Sequence, residues 1–363
     1  MREAAPVALD PQHGVWNVFL YDDVKTVLSD YARFSSQRGR GRGSQDPQNA
    51  LADSMISTDP PRHRSLRALV ERAFTPRQVE ALAPRIQELV DELLAGFDSG
   101  GADFVRDFAE PLPVIVIAEI LGIPASERAD FKRWSDAVVT GDPSGTREMA
   151  AYFSRLIAER RAGKGEGEDL ISALLRAEVE GQHLTHNELL GFCILLLVAG
   201  NETTTNLLSN AVQTLSAFPG AREQLGARPD LWPNAVEEVL RYRSPVQSMF
   251  RVAAGEVELR GQRIPDGSWV IAWIGSANHD GRQFERPEVF DVERTPNRHL
   301  AFGQGVHFCL GAPLARLEAN IALRGVYARF PHLRVRENVE LRYIESTIVH
   351  GVKELPVHLE VSA

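Results

Sequence analysis

Apolar residues recur through most of this chain at the three-to-four-residue spacing of helices. Alternation of the strand type is confined to a few short places. Segments Val7 to Leu9 and Trp16 to Leu20 flank a Pro and Gly turn and predict a hairpin. Amphipathic stretches near 22–30, 61–74, 76–95, 111–121, 126–140, 146–162, 168–178, 186–217, 231–243 and 309–329, mostly bounded by Pro, Gly, Ser or Asp, predict helices. Strand-like patterning returns at 250–274 and 333–359. Residues 187–218 are apolar on nearly every side, the pattern of a helix buried all round. Arg38 to Gly43, R-G-R-G-R-G, opens an irregular stretch reaching Asp59, expected to be a mobile basic loop. No repeat and no low-complexity linker divides the chain. The pattern therefore predicts a single domain over residues 1–363, mainly α, with a smaller β-sheet portion.

Composition changes this picture little. With 363 residues and 44% hydrophobic side chains, the chain is long enough to enclose a cofactor. The formal charge of -9 argues against general affinity for nucleic acid. Two cysteines, Cys193 and Cys309, far apart in sequence, suggest a reducing compartment without structural disulfides, so a cytoplasmic protein is expected. The N-terminal residues lack an apolar run of signal length, and Cys193 to Ala199 is too short to span a bilayer, so neither secretion nor a membrane anchor is expected.

Candidate chemistry concentrates around Cys309. Residues 302–311 read F-G-Q-G-V-H-F-C-L-G, and A-P-L-A-R-L-E-A-N-I-A-L follows with helical spacing. A glycine-rich loop thus delivers a cysteine to a helix start. A helix N-terminus favours a thiolate through its free N–H groups, and glycines let backbone approach a flat cofactor closely. Pro313 suits a first helical turn. Taken alone, a lone cysteine is most often an inert buried thiol. Zinc would require further ligands, and only His307 is near; a nucleophilic thiol would require a base that the sequence does not identify.

The positions Phe302, Gly303, Gly305, His307, Cys309 and Gly311 resemble the haem-binding signature of the cytochrome P-450 family, a specific pattern. The resemblance implies the cytochrome P-450 fold, a helical bundle around a buried haem b (heme b, iron protoporphyrin IX). It makes Cys309 the proximal ligand of the iron, whose sulfur donates electron density that favours O–O cleavage. It also assigns His307 to a haem propionate, although a loop histidine at the surface reads equally from the residues alone.

Other constellations take their meaning from the same resemblance. Ala199-Gly200-Asn201-Glu202-Thr203-Thr204 interrupts the apolar run with Gly, Thr and a carboxylate, a local inconsistency of the kind found at functional sites. Helical hydroxyls often bond back to a preceding carbonyl instead. The stretch resembles the family's oxygen-activating helix, in which Ala199 and Gly200 would lie against the haem and the oxygen, and Glu202 and Thr203 would be the acid and alcohol that relay protons. Glu238 and Arg241 share a helix face, by itself a commonplace ion pair. They resemble the E-x-x-R element, with Arg294 as third member, supporting the haem loop. His63 and Arg67, four apart in D-P-P-R-H-R-S-L-R, could hold two carboxylates or form a solvated basic face. The resemblance assigns both, with Arg251, to haem propionates.

The resemblance runs from Y-D-D-V-K-T-V-L at Tyr21 to L-P-V at Leu355. It departs at Pro6 and Val7, which already read as the first strand where soluble members have a helix, and at N-H-D-G, 278–281, where the family often has N-R-D-P. T-G-D-P-S-G-T at 140–146 reads as a short lid connection. No dinucleotide fingerprint or flavin domain is present, so electrons are expected from a ferredoxin or flavodoxin with its reductase, docking on Arg62, Arg64, Arg72 and Arg316. Leu196, Ala199, Gly200, Thr203, Val246, Met249, Ile348 and Val349 are expected to line an apolar pocket, for the aliphatic ones no more than core packing would predict. The implied activity is insertion of one oxygen atom from O2 into a hydrophobic small molecule. A peroxide-driven peroxygenase and a non-catalytic haem sensor are the alternatives, neither of which needs Glu202 and Thr203.

Overall fold

The computed structural model describes residues 1–37, 54–97, 101–127, 130–131, 133–134, 142–163, 169–179 and 181–359. The expected basic loop at Arg38 to Gly43 and most of the expected helix 126–140 lie outside them. The chain divides into two compact units. One comprises Met1–Ser35, Leu82–Leu112 and Thr203–Ala363, the other Ser36–Ala81 and Pro113–Glu202.

The first unit holds the sheets. Among the described residues its strands are β1 (Val7–Asp10), β2 (Val15–Val18), β3 (Phe34–Ser35), β4 (Ala102–Asp103), β5 (Met249–Ala253), β6 (Val257–Leu259), β7 (Gln262–Ile264), β8 (Trp269–Ala272), β9 (Arg334–Val335) and β10 (Pro356–His358). The expected hairpin forms, with Val7 opposite Val18. The main sheet runs β1-β2-β8-β5-β3. Within it β2 and β8 are parallel, Val15 beside Trp269, so the N-terminal hairpin is stitched to a strand some 250 residues onward. Between β6 and β7 Arg260 and Gly261 both take positive φ, at 50° and 73°, the geometry of a two-residue hairpin turn. Val18, Val24, Val27, Phe34, Val270 and Ala272 bury their side chains together beneath this sheet. Helix Ala312–Arg329 in the same unit packs along helix Ala83–Ala95.

Most helices fall where the periodicity puts them, with reasons for the exceptions. The stretch 76–95 splits into Pro76–Glu80 and Ala83–Ala95. Pro84 has no N–H to donate and collides with the carbonyl four residues back, so a helix cannot run through it. Thr75 and Gln78 close a capping box on the first piece. Between 333 and 359 only β9 and β10 are strands, fewer than the patterning suggests. Helix Pro219–Ala227 was not anticipated, since Gly220 and Gly226 mask its short period.

The long helix His186–Ala217 contributes residues to both units, the second up to Glu202 and the first from Thr203. At its start the Thr185 and Glu188 side chains accept each other's backbone N–H at 3.3 and 2.9 Å, a capping box, and Arg62 pairs with the same Glu188 carboxylate. Leu189, Cys193, Leu197, Leu207, Leu208, Ala211, Val212 and Leu215 are buried, as an all-round apolar helix requires.

Candidate active site

Cys309 lies in a closed loop of the first unit, three residues before helix Ala312–Arg329. Its N–H donates to the Phe302 carbonyl at 2.9 Å, and the Phe308 N–H to Gly305 at 3.0 Å. Two glycines make the loop possible. Gly303 and Gly305 each have φ 73°, and a Cβ on Gly305 would stand 2.7 Å from the Ser29 Cα. Gly311 caps the helix, and a Cβ there would be 3.9 Å from the Cys309 sulfur. Cys309 and His307 are half-buried while Phe308 is exposed.

Two layers of charge hold this loop. In the inner one, Glu238 receives Arg241 at 2.7 and 2.8 Å, Arg294 at 3.1 Å on both oxygens, Asn297 at 3.0 Å and the Asp291 N–H at 3.0 Å. Arg241 also donates to the carbonyls of Asn278, Pro287 and Val289. Every oxygen of the carboxylate is occupied, which is the condition for a buried ion pair to hold. The expected association of Glu238, Arg241 and Arg294 is present.

The outer layer was missed in the sequence. Glu237 takes Arg316 on both oxygens, at 2.7 and 2.8 Å, and His299 at 3.1 Å. Burial raises the Glu237 carboxyl, but the hydrogen bonds from Arg316 and His299 outweigh it and bring it down to about 2. Arg316 also lies 4.5 Å over the Phe302 ring. This ties the helix after Cys309 to helix Trp232–Tyr242 and to the loop itself. Glu237 is visible in E-E-V-L-R, but nothing in the sequence points to a partner 79 residues away. Asn278 was likewise missed. Its side chain accepts the Leu300 N–H and donates to Ser244, each at 2.8 Å.

In this unit Arg251 is buried on β5 and donates to the Phe250 carbonyl at 2.8 Å. Val246 and Val349 face one another as an isolated bridge, and the Gln247 N–H donates to Ile348 at 2.7 Å. The expected lining residues Val246, Met249, Ile348 and Val349 therefore occupy two segments joined backbone to backbone. Thr203 is half-buried.

In the other unit His63 is buried on helix Arg62–Ala73, and Arg67 on the next turn bonds Glu71 at 2.7 Å. Along the long helix Leu196, Gly200 and Glu202 are half-buried and Ala199 is exposed, an open interruption in a buried run. A Cβ on Gly200 would lie 3.0 Å from Ile117, so this glycine is packed as well as open. Burial raises the Glu202 carboxyl above the ordinary range. Of the four arginines expected to meet a redox partner, Arg62 and Arg316 already have carboxylates, and Arg72 donates to the Glu178 carbonyl.

A family model described as Cytochrome P-450 matches residues 230–358, which contain the loop and both charge layers. The putative cytochrome P-450 YjiB of Bacillus subtilis (strain 168) is 45% identical over 375 residues, covering 99% of this chain and 92% of the relative. The chain belongs to the cytochrome P-450 family. The cytochrome P-450 monooxygenase PikC of Streptomyces venezuelae is 44% identical, covering 94% of this chain and 85% of the relative. Substrate-free CYP109E1 from Bacillus megaterium superposes with a TM-score of 0.95 at 44% identity, covering 100% of this chain and 97% of that one. The fold expected from the sequence is thus present, and the chain is a cytochrome P-450 oxidoreductase of the monooxygenase class whose cofactor is haem b.

The residues present suit that cofactor. Among the described residues no three His, Cys, Asp or Glu side chains converge to hold a metal. Iron at Cys309 would have to bring its other donors with it, as haem does, and Gly311 carries no side chain beside the sulfur. Among the described residues, no helix is long and apolar enough to cross a membrane.

Proposed function

We propose that this cytochrome P-450 inserts one oxygen atom from O2 into a hydrophobic small molecule, by hydroxylation or epoxidation, in the cytoplasm, with electrons from a separate ferredoxin or flavodoxin and its reductase. The observation that carries this reading is the Cys309 loop, closed by the Phe302 carbonyl and braced by Glu237 and Glu238. Bound there, haem supplies the oxygen-activating and electron-accepting chemistry.

The chain's own residues do the rest. Cys309 would give the protein's ligand to the iron. Phe302, Gly303 and Gly311 would let the backbone lie close to the haem, and Ala199 and Gly200 are the long-helix residues proposed to meet it. His63, Arg67, Arg251 and His307 would hold the propionates, whose charge would otherwise be costly to bury. Glu202, kept protonated more readily by burial, would hold a proton at its carboxyl, and the Thr203 hydroxyl would pass it on.

Leu196, Val246, Met249, Ile348 and Val349 are the apolar side chains proposed to meet the substrate. Relatives narrow its class. CYP109E1 has been solved with testosterone and with corticosterone, and other relatives are named erythromycin C-12 hydroxylase and 6-deoxyerythronolide B hydroxylase. A lipophilic ring compound of steroid or macrolide size is the substrate class proposed here.

The test is an optical binding screen of the haem-loaded protein against such compounds. Turnover of each binder is then measured with O2, ferredoxin and reductase, and separately with hydrogen peroxide. Product only with the electron donor supports the proposal. Product with peroxide alone makes the protein a peroxygenase, and binding without turnover in either assay makes it a sensor or carrier.

A further inference from the structure

The long helix grips the C-terminal segment at two heights. Asn210, fully buried, donates from its amide nitrogen to the Arg243 carbonyl at 3.1 Å and the His350 carbonyl at 3.0 Å. Arg243 ends helix Trp232–Tyr242 and leads into Pro245–Ser248. That strip is in turn zipped to the C-terminal turn. The His350 N–H donates to Pro245 at 2.8 Å, and the Ser248 hydroxyl to Thr347 at 2.8 Å. One helical turn before Asn210, the buried Asn206 acts as a stop. The Gly351 backbone lies so close to it that a Cβ would come 1.9 Å from the Asn206 amide oxygen. One side chain pulls the turn onto the helix and the other sets how near it comes.

This turn carries Ile348 and Val349, and the strip paired with it carries Val246 and leads directly into Met249 at the start of β5. We infer that Asn210 and Gly351 are positioning residues for substrate selectivity, fixing how far Ile348 and Val349 reach toward the bound compound. The inference rests on the proposed reading that these apolar side chains face the substrate.

The physical expectations are specific. Asn210→Leu keeps approximate size but removes the donors, taking the Asn210 hydrogen bond from two part-buried carbonyls and leaving the turn held by the strip. Asn210→Asp likewise cannot donate from its carboxylate. Gly351→Ala drives the turn away from the helix. Adding Asn206→Ala to it removes the colliding amide and leaves only the residue 206 Cβ, 3.2 Å away, so the double variant should recover.

The experiment titrates haem-loaded parent, Asn210→Leu, Asn210→Asp, Gly351→Ala, Asn206→Ala and the Asn206→Ala/Gly351→Ala pair with imidazole and with clotrimazole. Both ligate the iron through an azole nitrogen, and only the second fills the substrate space. Imidazole affinity should stay within about twofold of the parent, while clotrimazole affinity shifts about fivefold or more in the Asn210 variants and Gly351→Ala. The double variant should return to the value of Asn206→Ala. Hydrogen exchange of amides 344–352 should be about fivefold faster in Asn210→Leu, a readout independent of the iron. Equal weakening of both azoles, an unchanged clotrimazole constant despite faster exchange, or a double variant no better than Gly351→Ala would overturn the inference. A parent protein that gives no azole shift would instead refute the proposed haem site itself.

Discussion

Glu238 and Arg241 stand one helical turn apart with neither side chain reaching solvent, joined by two hydrogen bonds of 2.7 and 2.8 Å. Arg294, Asn297 and the Asp291 N–H complete the carboxylate's shell, so this pair is the anchor from which the segment before Cys309 hangs. Glu238→Ala leaves the fully buried Arg241 guanidinium, and the largely covered Arg294, without their counter-charge, a loss of about 3–5 kcal/mol. The expected outcome is little folded, haem-loaded protein, checked by yield and by the ratio of haem to protein absorbance. A variant that folds and loads like the parent would show that the anchor is dispensable.

The neighbouring Glu237 gives a pH dependence. Its carboxyl stands near 2 in the folded protein against an ordinary 4.5, so the folded state binds fewer protons there. The stabilisation is complete above the unfolded value and is lost as pH falls from 4.5 toward 2. Its size is at most about 3 kcal/mol. Glu237→Gln should therefore unfold at lower denaturant than the parent at neutral pH, with the gap narrowing steadily below about pH 5. Denaturation curves at neutral pH and at the lowest pH where both proteins fold test this, and a gap that is constant or widens in acid contradicts it.

Gly305 should not tolerate a side chain. Alanine there would hold a left-handed conformation, costing about 1–3 kcal/mol, and its Cβ would strike the Ser29 backbone at 2.7 Å. Gly305→Ala is expected to lose haem on gel filtration and to melt several degrees lower. Gly281→Ala, where a Cβ meets nothing within 4 Å, serves as the control and should stay close to the parent.

What the sequence disclosed and what it hid follow from the range of the interactions. Most helices, from their 3.6-residue periods, the β1–β2 hairpin and the glycine-cysteine loop are local, and these were legible. So was the association of Glu238, Arg241 and Arg294, though only through family resemblance, since an i, i+3 ion pair is commonplace. The Glu237–Arg316 clamp, the Asn278 bridge and the parallel β2–β8 pairing join residues far apart in the chain. No period or motif encodes such a contact. Pro84 was readable in principle as a helix break, because its effect on the preceding turn is purely local.

The relay assignment separates Thr203 from Glu202. Thr203→Ala should bind haem and accept electrons normally, yet yield less product and more hydrogen peroxide per electron pair. Glu202→Gln keeps size and hydrogen bonding but holds no acidic proton, so it should slow turnover by about 100-fold. Cofactor consumption, peroxide and product measured together check both. Parent-like rates and coupling in both variants would mean that the polar interruption of the long helix has another role.

The central claim is that Cys309 binds the haem iron through sulfur, and the reduced carbon monoxide difference spectrum of the purified protein tests it most directly. The parent and Cys193→Ala should both give the red-shifted Soret band of thiolate ligation, since Cys193 is buried packing. Cys309→Ser should abolish it. A band of the imidazole type in active parent protein, or a red-shifted band that survives Cys309→Ser, would contradict the account.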